Sequence, residues 1–214
     1  IHQAAYKGDV ETIKQHLNSG TSVNKTNQYG ATPLHYAARA GKDNVVALLV
    51  KYKANVNLKD SKEITPLHSA SSGGHAKAVS VLIENGADWN ITCGERKEPA
   101  LFAAVNKNRA NVVNILISSG ADVNAKDAFA ETALDSAVSK GLPEMVALLV
   151  SKGANVNGNG GTSPLHKAAS TGKKEIVEIL LANKANINIS IAFGDTPLDW
   201  AIRNNHSDII KILK

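Results

Sequence analysis

Four histidines stand at matched places along the chain: His2, His35, His68 and His166, the first three 33 residues apart. An imidazole can ligate a metal or move a proton near neutral pH, so such a series invites a metal-binding or catalytic reading. Either chemistry needs partners that converge, and no cluster of Asp, Glu or Cys adjoins these positions. The lone Cys93 excludes an internal disulfide and any cysteine-based zinc site, and it suits a reducing compartment. Asp135 and Asp199 take the histidine's place in two later segments, 64 residues apart. If each segment adds a helix diameter, about 10 Å, the two carboxylates lie too far apart to share acid–base work. The run Gly158-Asn159-Gly160-Gly161 has the look of a phosphate-cradling loop, but no Lys-Ser/Thr follows and no buried strand precedes it. It reads as a tightened hairpin. No metal, no cofactor and no enzymatic activity are expected.

These residues are positioned by a repeated phrase. Thr32-Pro33-Leu34-His35-Tyr36-Ala37-Ala38 returns 33 residues on as Thr65-Pro66-Leu67-His68-Ser69-Ala70-Ser71. It returns again as Ser163-Pro164-Leu165-His166 and Thr196-Pro197-Leu198-Asp199, with eroded copies at Pro99–Phe102 and Thr132–Asp135. The chain opens inside a further copy, Ile1-His2-Gln3-Ala4-Ala5, so the natural N-terminus is expected to lie upstream. Thr or Ser caps a helix and Pro fits its first turn, where a missing N–H costs nothing. A second apolar phrase follows each first one, as in Val45-Val46-Ala47-Leu48-Leu49 and Val112-Val113-Asn114-Ile115-Leu116. Then comes a turn such as Gly120-Ala121-Asp122-Val123-Asn124. A fixed period of this kind marks a repeat array, in which neighbours share one apolar core.

The phrases and their register resemble the ankyrin-repeat family over essentially the whole chain. The resemblance implies an all-α solenoid of about seven stacked repeats, each a helix-turn-helix followed by a β-hairpin loop. The expected repeats are 1–31, 32–64, 65–98, 99–131, 132–162, 163–195 and 196–214, forming one domain over 1–214. It implies that His2, His35, His68 and His166 tie the turn to adjacent backbone. Repeat four departs, with a longer loop over 91–98, Pro99 for the cap, Phe102 for the histidine and Trp89 in place of a small residue.

In the family, hairpin tips and the ends of the first helices line a concave groove that recognises other proteins. Carried over, the partner-binding positions are Tyr29, Tyr36, Arg39, Lys62, Ser72, Arg96, Lys97, Asn106, Lys107, Phe129, Glu131, Ser139, Lys140, Phe193 and Arg203. Tyr29, Phe129 and Phe193 are aromatic at tips where a ring buries nothing in its own repeat, and aromatics commonly anchor interfaces. The basic helix ends Arg39, Lys107, Lys140 and Arg203 suggest a partner protein or peptide of acidic character. The expected function is therefore a non-enzymatic protein-interaction module, monomeric in isolation. The alternative is the targeting or regulatory part of a larger enzyme, toxin, effector or channel. Resemblance to substrates of asparaginyl hydroxylases also marks Asn57, Asn124 and Asn157 as acceptors.

Composition narrows the partners. The formal charge is +5, spread along the chain, and the longest basic cluster, Arg96-Lys97, is flanked by Glu95 and Glu98. A nucleic-acid surface would show a denser basic stripe with interleaved aromatics, so no nucleic acid is expected. The apolar runs are too short to span a bilayer, so no membrane insertion is expected. An intracellular, cytoplasmic setting is expected. The abundance of Asn, Lys and Ile suits an AT-rich genome and an effector delivered into a host cell.

Overall fold

A computed structural model describes residues 1–159 and 161–214, so Gly160 of the glycine run lies outside the described residues. The chain divides into two compact units, Ile1–Ala121 and Asp122–Lys214.

Unit 1 holds four helix pairs: α1 (His2–Lys7) with α2 (Val10–Asn18), α3 (Pro33–Arg39) with α4 (Asp43–Lys51), α5 (Pro66–Gly73) with α6 (Ala76–Glu84), and α7 (Ala100–Asn106) with α8 (Ala110–Ser118). The first helices pack in the order α1, α3, α5, α7, and the second helices in the order α2, α4, α6, α8. These helices are too short to persist alone in water, so packing sustains them. Thr65 shows how the sequence starts one: its backbone is extended, its hydroxyl accepts from the His68 N–H, and Pro66 fills the first turn. Ala37, Ala38 and Ala70 are fully buried, which lets neighbouring first helices approach closely. Leu34, Leu67, Val46, Leu49 and Leu82 fill the space between the layers. Each buried leucine contributes about 1.5–3 kcal/mol.

Repeat four supplies a strand pair, β1 (Thr92–Cys93) antiparallel to β2 (Glu98–Pro99), with Thr92 opposite Pro99 and Cys93 opposite Glu98. Its N-cap is Pro99, which makes no side-chain cap, and the buried Phe102 packs where the other repeats place a polar residue. The longer loop and altered cap are thus absorbed by local repacking.

Unit 2 repeats the plan with α9 (Ala133–Lys140) and α10 (Pro143–Ser151), α11 (Pro164–Ser170) and α12 (Lys174–Ala182), and α13 (Pro197–Arg203) and α14 (Ser207–Leu213). α11 packs between α9 and α13, and α12 between α10 and α14. Asn204, Asn205, Lys211 and Lys214 are exposed at its far end, together with Ile202.

A recurring cover ties repeats within each unit. The residue opening a second helix lies over the turn of the preceding repeat. His75 Nε2 bonds the Arg39 carbonyl (3.1 Å), Arg109 Nε donates to the Ser72 carbonyl (3.2 Å), and His206 Nε2 bonds the Ser170 carbonyl (3.0 Å). Gly41 has φ +63°, and a Cβ there would stand 2.3 Å from the His75 ring. No helix among the described residues is long and apolar enough to cross a membrane.

Candidate functional site

The histidine series forms locks. His35 Nδ1 accepts from the Thr32 N–H (3.1 Å), and its Nε2 donates to the Ile64 carbonyl (2.9 Å). His68 does the same between Thr65 and the Glu98 carbonyl (3.1 Å), and His166 reaches the Asp195 carbonyl (3.0 Å). His2 Nε2 contacts the carbonyls of Lys25 and Ala31. Burial pushes the His35 pKa down and takes that of His68 to about 4, so both are neutral donors at physiological pH. Asp135 and Asp199 accept from the backbone of their own caps, Thr132 N–H (2.9 Å) and Thr196 N–H (2.8 Å). Hydrogen bonds from the Thr196 hydroxyl and N–H hold Asp199 below the usual carboxylate range. Among the described residues, no three His, Cys, Asp or Glu side chains converge as metal ligands would. The series is structural.

The asparagines have comparable roles. Asn57 Oδ1 accepts from the Asp88 N–H (2.9 Å) while its Nδ2 donates to the Gly86 carbonyl (2.9 Å). Asn124 bridges likewise to the Asn155 N–H and the Gly153 carbonyl, and Asn157 to the Asn186 N–H. Each amide is thus engaged with the next repeat. At the tips, Asn27, Asp60 and Asp127 each accept two backbone N–H groups two and four residues on, which shapes the loops that carry Tyr29, Lys62 and Phe129. Successive tips are joined by Ser61 N–H to the Tyr29 carbonyl (2.9 Å) and Gly94 N–H to the Lys62 carbonyl (3.2 Å).

In unit 1 this frame encloses a groove of about 710 Å³. Five of the residues marked by the sequence, Tyr29, Tyr36, Arg39, Lys62 and Ser72, line it together, with Ile64, Cys93, Ala103 and the locked His35 and His68. Arg39 and Lys62 form no ion pair among the described residues. The one carboxylate in the wall, Asp60, is occupied by the N–H groups of Lys62 and Ile64. Burial, then the nearby Glu98, Asp60 and Glu63, push the Cys93 thiol up to about 11, which keeps it protonated and unreactive. Tyr36 is fixed by a bond from Asn27 Nδ2 (2.9 Å) and by edge contacts with His2 and Tyr6. Tyr6 was missed by the sequence reading. It occupies in repeat one the place of Arg39 in repeat two, and counting forward from His2 would have found it.

The other marked positions are scattered in environment. Lys107, Ser139 and Lys140 are exposed, and neither lysine forms an ion pair among the described residues. Tyr29, Phe129 and Phe193 are 59%, 66% and 93% exposed. Arg96 pairs with Glu98, Lys97 with Glu63, and Asn106 lies 3.5 Å from Glu98. Arg203 is engaged within the chain: its guanidinium forks both oxygens of Asp195 and holds that carboxyl below its usual range. Glu131 is likewise taken, by Lys167 Nζ at 2.8 Å, and the same Nζ stands 2.9 Å from Asp135. Burial opposes charge on Lys167, but the bonds to Glu131 and Asp135 prevail and raise its pKa.

Short helix pairs, locked turn by turn and tied to the next pair through backbone carbonyls, define a helical repeat protein, with a groove in unit 1. A model of ankyrin repeats matches three times, over residues 1–93, 88–160 and 156–214, and the chain belongs to the ankyrin-repeat family. Such domains are generally non-catalytic and mediate protein–protein interaction. The human ASB11 ankyrin repeat domain is similar in structure, with TM-score 0.87 and 26% identity over 100% of this chain and 96% of that one. So is the ankyrin repeat domain of Bcl-3, described as a member of the IkappaB protein family, with TM-score 0.87, 28% identity and coverage of 98% and 96%. Myotrophin from Xenopus tropicalis is 42% identical over 52 residues, 24% of this chain and 44% of that protein. The chain spans less than half the length of the curated relatives it matches.

Proposed function

We propose that the protein binds another protein, of acidic character, through its groove-forming first helices and hairpin tips. The observation that carries the reading is the unit 1 groove, where five residues marked by the sequence as recognition positions line one cavity. The locks and tip bonds hold these side chains in place before a partner arrives, which lowers the entropy cost of association. Arg39 and Lys62 supply cations not matched by an internal acid.

A photo-crosslinking residue tests this. Placed at Lys62 in the groove, it is expected to yield discrete protein adducts in a lysate of the source cells. Placed at Lys51, exposed at the end of α4, it is expected to yield none. Adducts from Lys51 alone would overturn the reading. A second reading, that these repeats target or regulate a longer protein, is favoured by the short span of the matched relatives, which include a Drosophila tyrosine-protein kinase matched over 6% of its length. Proteins recovered with the native full-length gene product would separate the two.

A further inference from the structure

The charge of the chain is not shared between its units. Unit 1 holds 14 Lys and Arg against 9 Asp and Glu, whereas unit 2 holds 10 of each. The formal excess therefore resides in Ile1–Ala121. The two units also use their inner cations differently. In unit 2, Lys167 is spent on Glu131 and Asp135, and Arg203 on Asp195. In unit 1, Arg39 and Lys62 share one groove and form no ion pair among the described residues.

We propose that recognition of the acidic partner is confined to unit 1, and that it has two parts. Resting on the protein-binding reading above, an extended partner segment places an Asp or Glu carboxylate within reach of both Arg39 and Lys62. An adjacent apolar side chain lies against Tyr29, Tyr36 and Ile64. The charge complementarity selects the acid, because a basic segment would meet two unmatched cations there. The apolar walls select its neighbour, because the Tyr36 ring is already held by Asn27 and loses little freedom on contact. Lys62 sits on a tip whose backbone is fixed by Asp60, so its ammonium swings from a stationary base. Unit 2 offers no equivalent seat at Lys167 or Arg203, whose carboxylate partners compete with any incoming acid.

The test uses the full chain and a displayed library of random twelve-residue peptides. Recovered peptides are expected to carry Asp or Glu beside Leu, Ile or Phe. A synthetic copy, measured by fluorescence anisotropy, is expected to lose roughly tenfold or more in affinity for the R39E/K62E variant, and to bind the K51E variant, altered off the groove at the end of α4, unchanged. Amide replacement of the peptide's carboxylates should produce the same loss, and circular dichroism confirms that each variant is folded. Peptides that bind but ignore R39E/K62E overturn this seat and leave the protein-binding reading standing. Failure to recover any binding peptide, or preferential capture of single-stranded RNA with a steep salt dependence, overturns the seat, and with it the choice of a protein as partner.

Discussion

Both units close most of their first helices with a Thr or Ser and a side chain three residues on, and His166 of unit 2 makes the same lock as the histidines of unit 1, but the other two locks of unit 2 are completed differently. In unit 1, His35 and His68 accept from their own cap through Nδ1 and donate to the next loop's carbonyl through Nε2. In unit 2, Asp135 and Asp199 do the first task only, because a carboxylate has no proton to donate. At Asp135 the missing tie is remade by the free oxygen, which accepts from Lys167 of the following repeat. With Asp in the place of His, unit 2 thus holds the Lys167 cation in an internal ion pair. The lesson is that a change inside the repeated phrase alters which charges remain unpaired beside it.

Acidification should break this comparison most strongly. A neutral His68 with a pKa near 4 contributes fully above pH 6.5, its unfolded value, and the contribution is lost as pH falls toward 4. The loss reaches about 3 kcal/mol by pH 4, with His35 shifted in the same direction. Asp199, held below 3.8, keeps its contribution until pH falls below that value. Unit 1 should therefore loosen first. Each unit holds one tryptophan, Trp89 and Trp200, so the W200F and W89F variants report the units separately by fluorescence during acid titration. Simultaneous loss of both signals between pH 6 and 4.5 would count against the histidine account.

Lys167→Ala comes next. Leaving Asp135 buried without its cation should cost about 2 kcal/mol in urea melts followed at Trp200. Adding Asp135→His should recover much of it, since an imidazole could then donate to the Thr162 carbonyl, the matching acceptor in sequence. No recovery would mean that the ion pair does more than replace the histidine's tie.

The turn covers differ as well. Gly41→Ala places a methyl 2.3 Å from the His75 ring, while the same change at Gly141 meets the Lys173 side chain, nearest at its Nζ (2.7 Å), which can swing away. Both strain a positive φ, at about 1 kcal/mol, and Gly41 adds a clash, so its melting point should fall further than that of Gly141→Ala. Equal shifts would show that the cover yields as readily as a lysine.

The smallest effect is a gain. Ser71 Oγ is the one buried side-chain polar atom without a hydrogen-bond partner among the described residues, and unit 2 places Ala169 at the matching position. Ser71→Ala should stabilise unit 1 by about 1 kcal/mol, read as a higher urea midpoint at Trp89, and Ala169→Ser should do the reverse in unit 2.

Much of this was legible from the phrase itself. Thr65, Pro66, Leu67 and His68 announce a cap, a first turn, a core residue and a polar lock through local chemistry, and that chemistry survives folding unchanged. The groove position of Tyr36, Arg39 and Lys62 was implied by the family resemblance, and the three line one cavity. The fate of Arg203 and Glu131 did not, because it depends on which long side chains meet across a repeat boundary. Tyr6 was hidden by a first repeat without its opening phrase. The division between residues 121 and 122 has no counterpart in the period, which runs through it.

The locks, asparagine bridges and turn covers join residues 29 to 37 positions apart, a reach of one repeat. During synthesis, a repeat can therefore acquire its ties as soon as the next one has left the ribosome. Growth of the fold by such short steps favours rapid assembly, since little chain must be gathered before each contact forms.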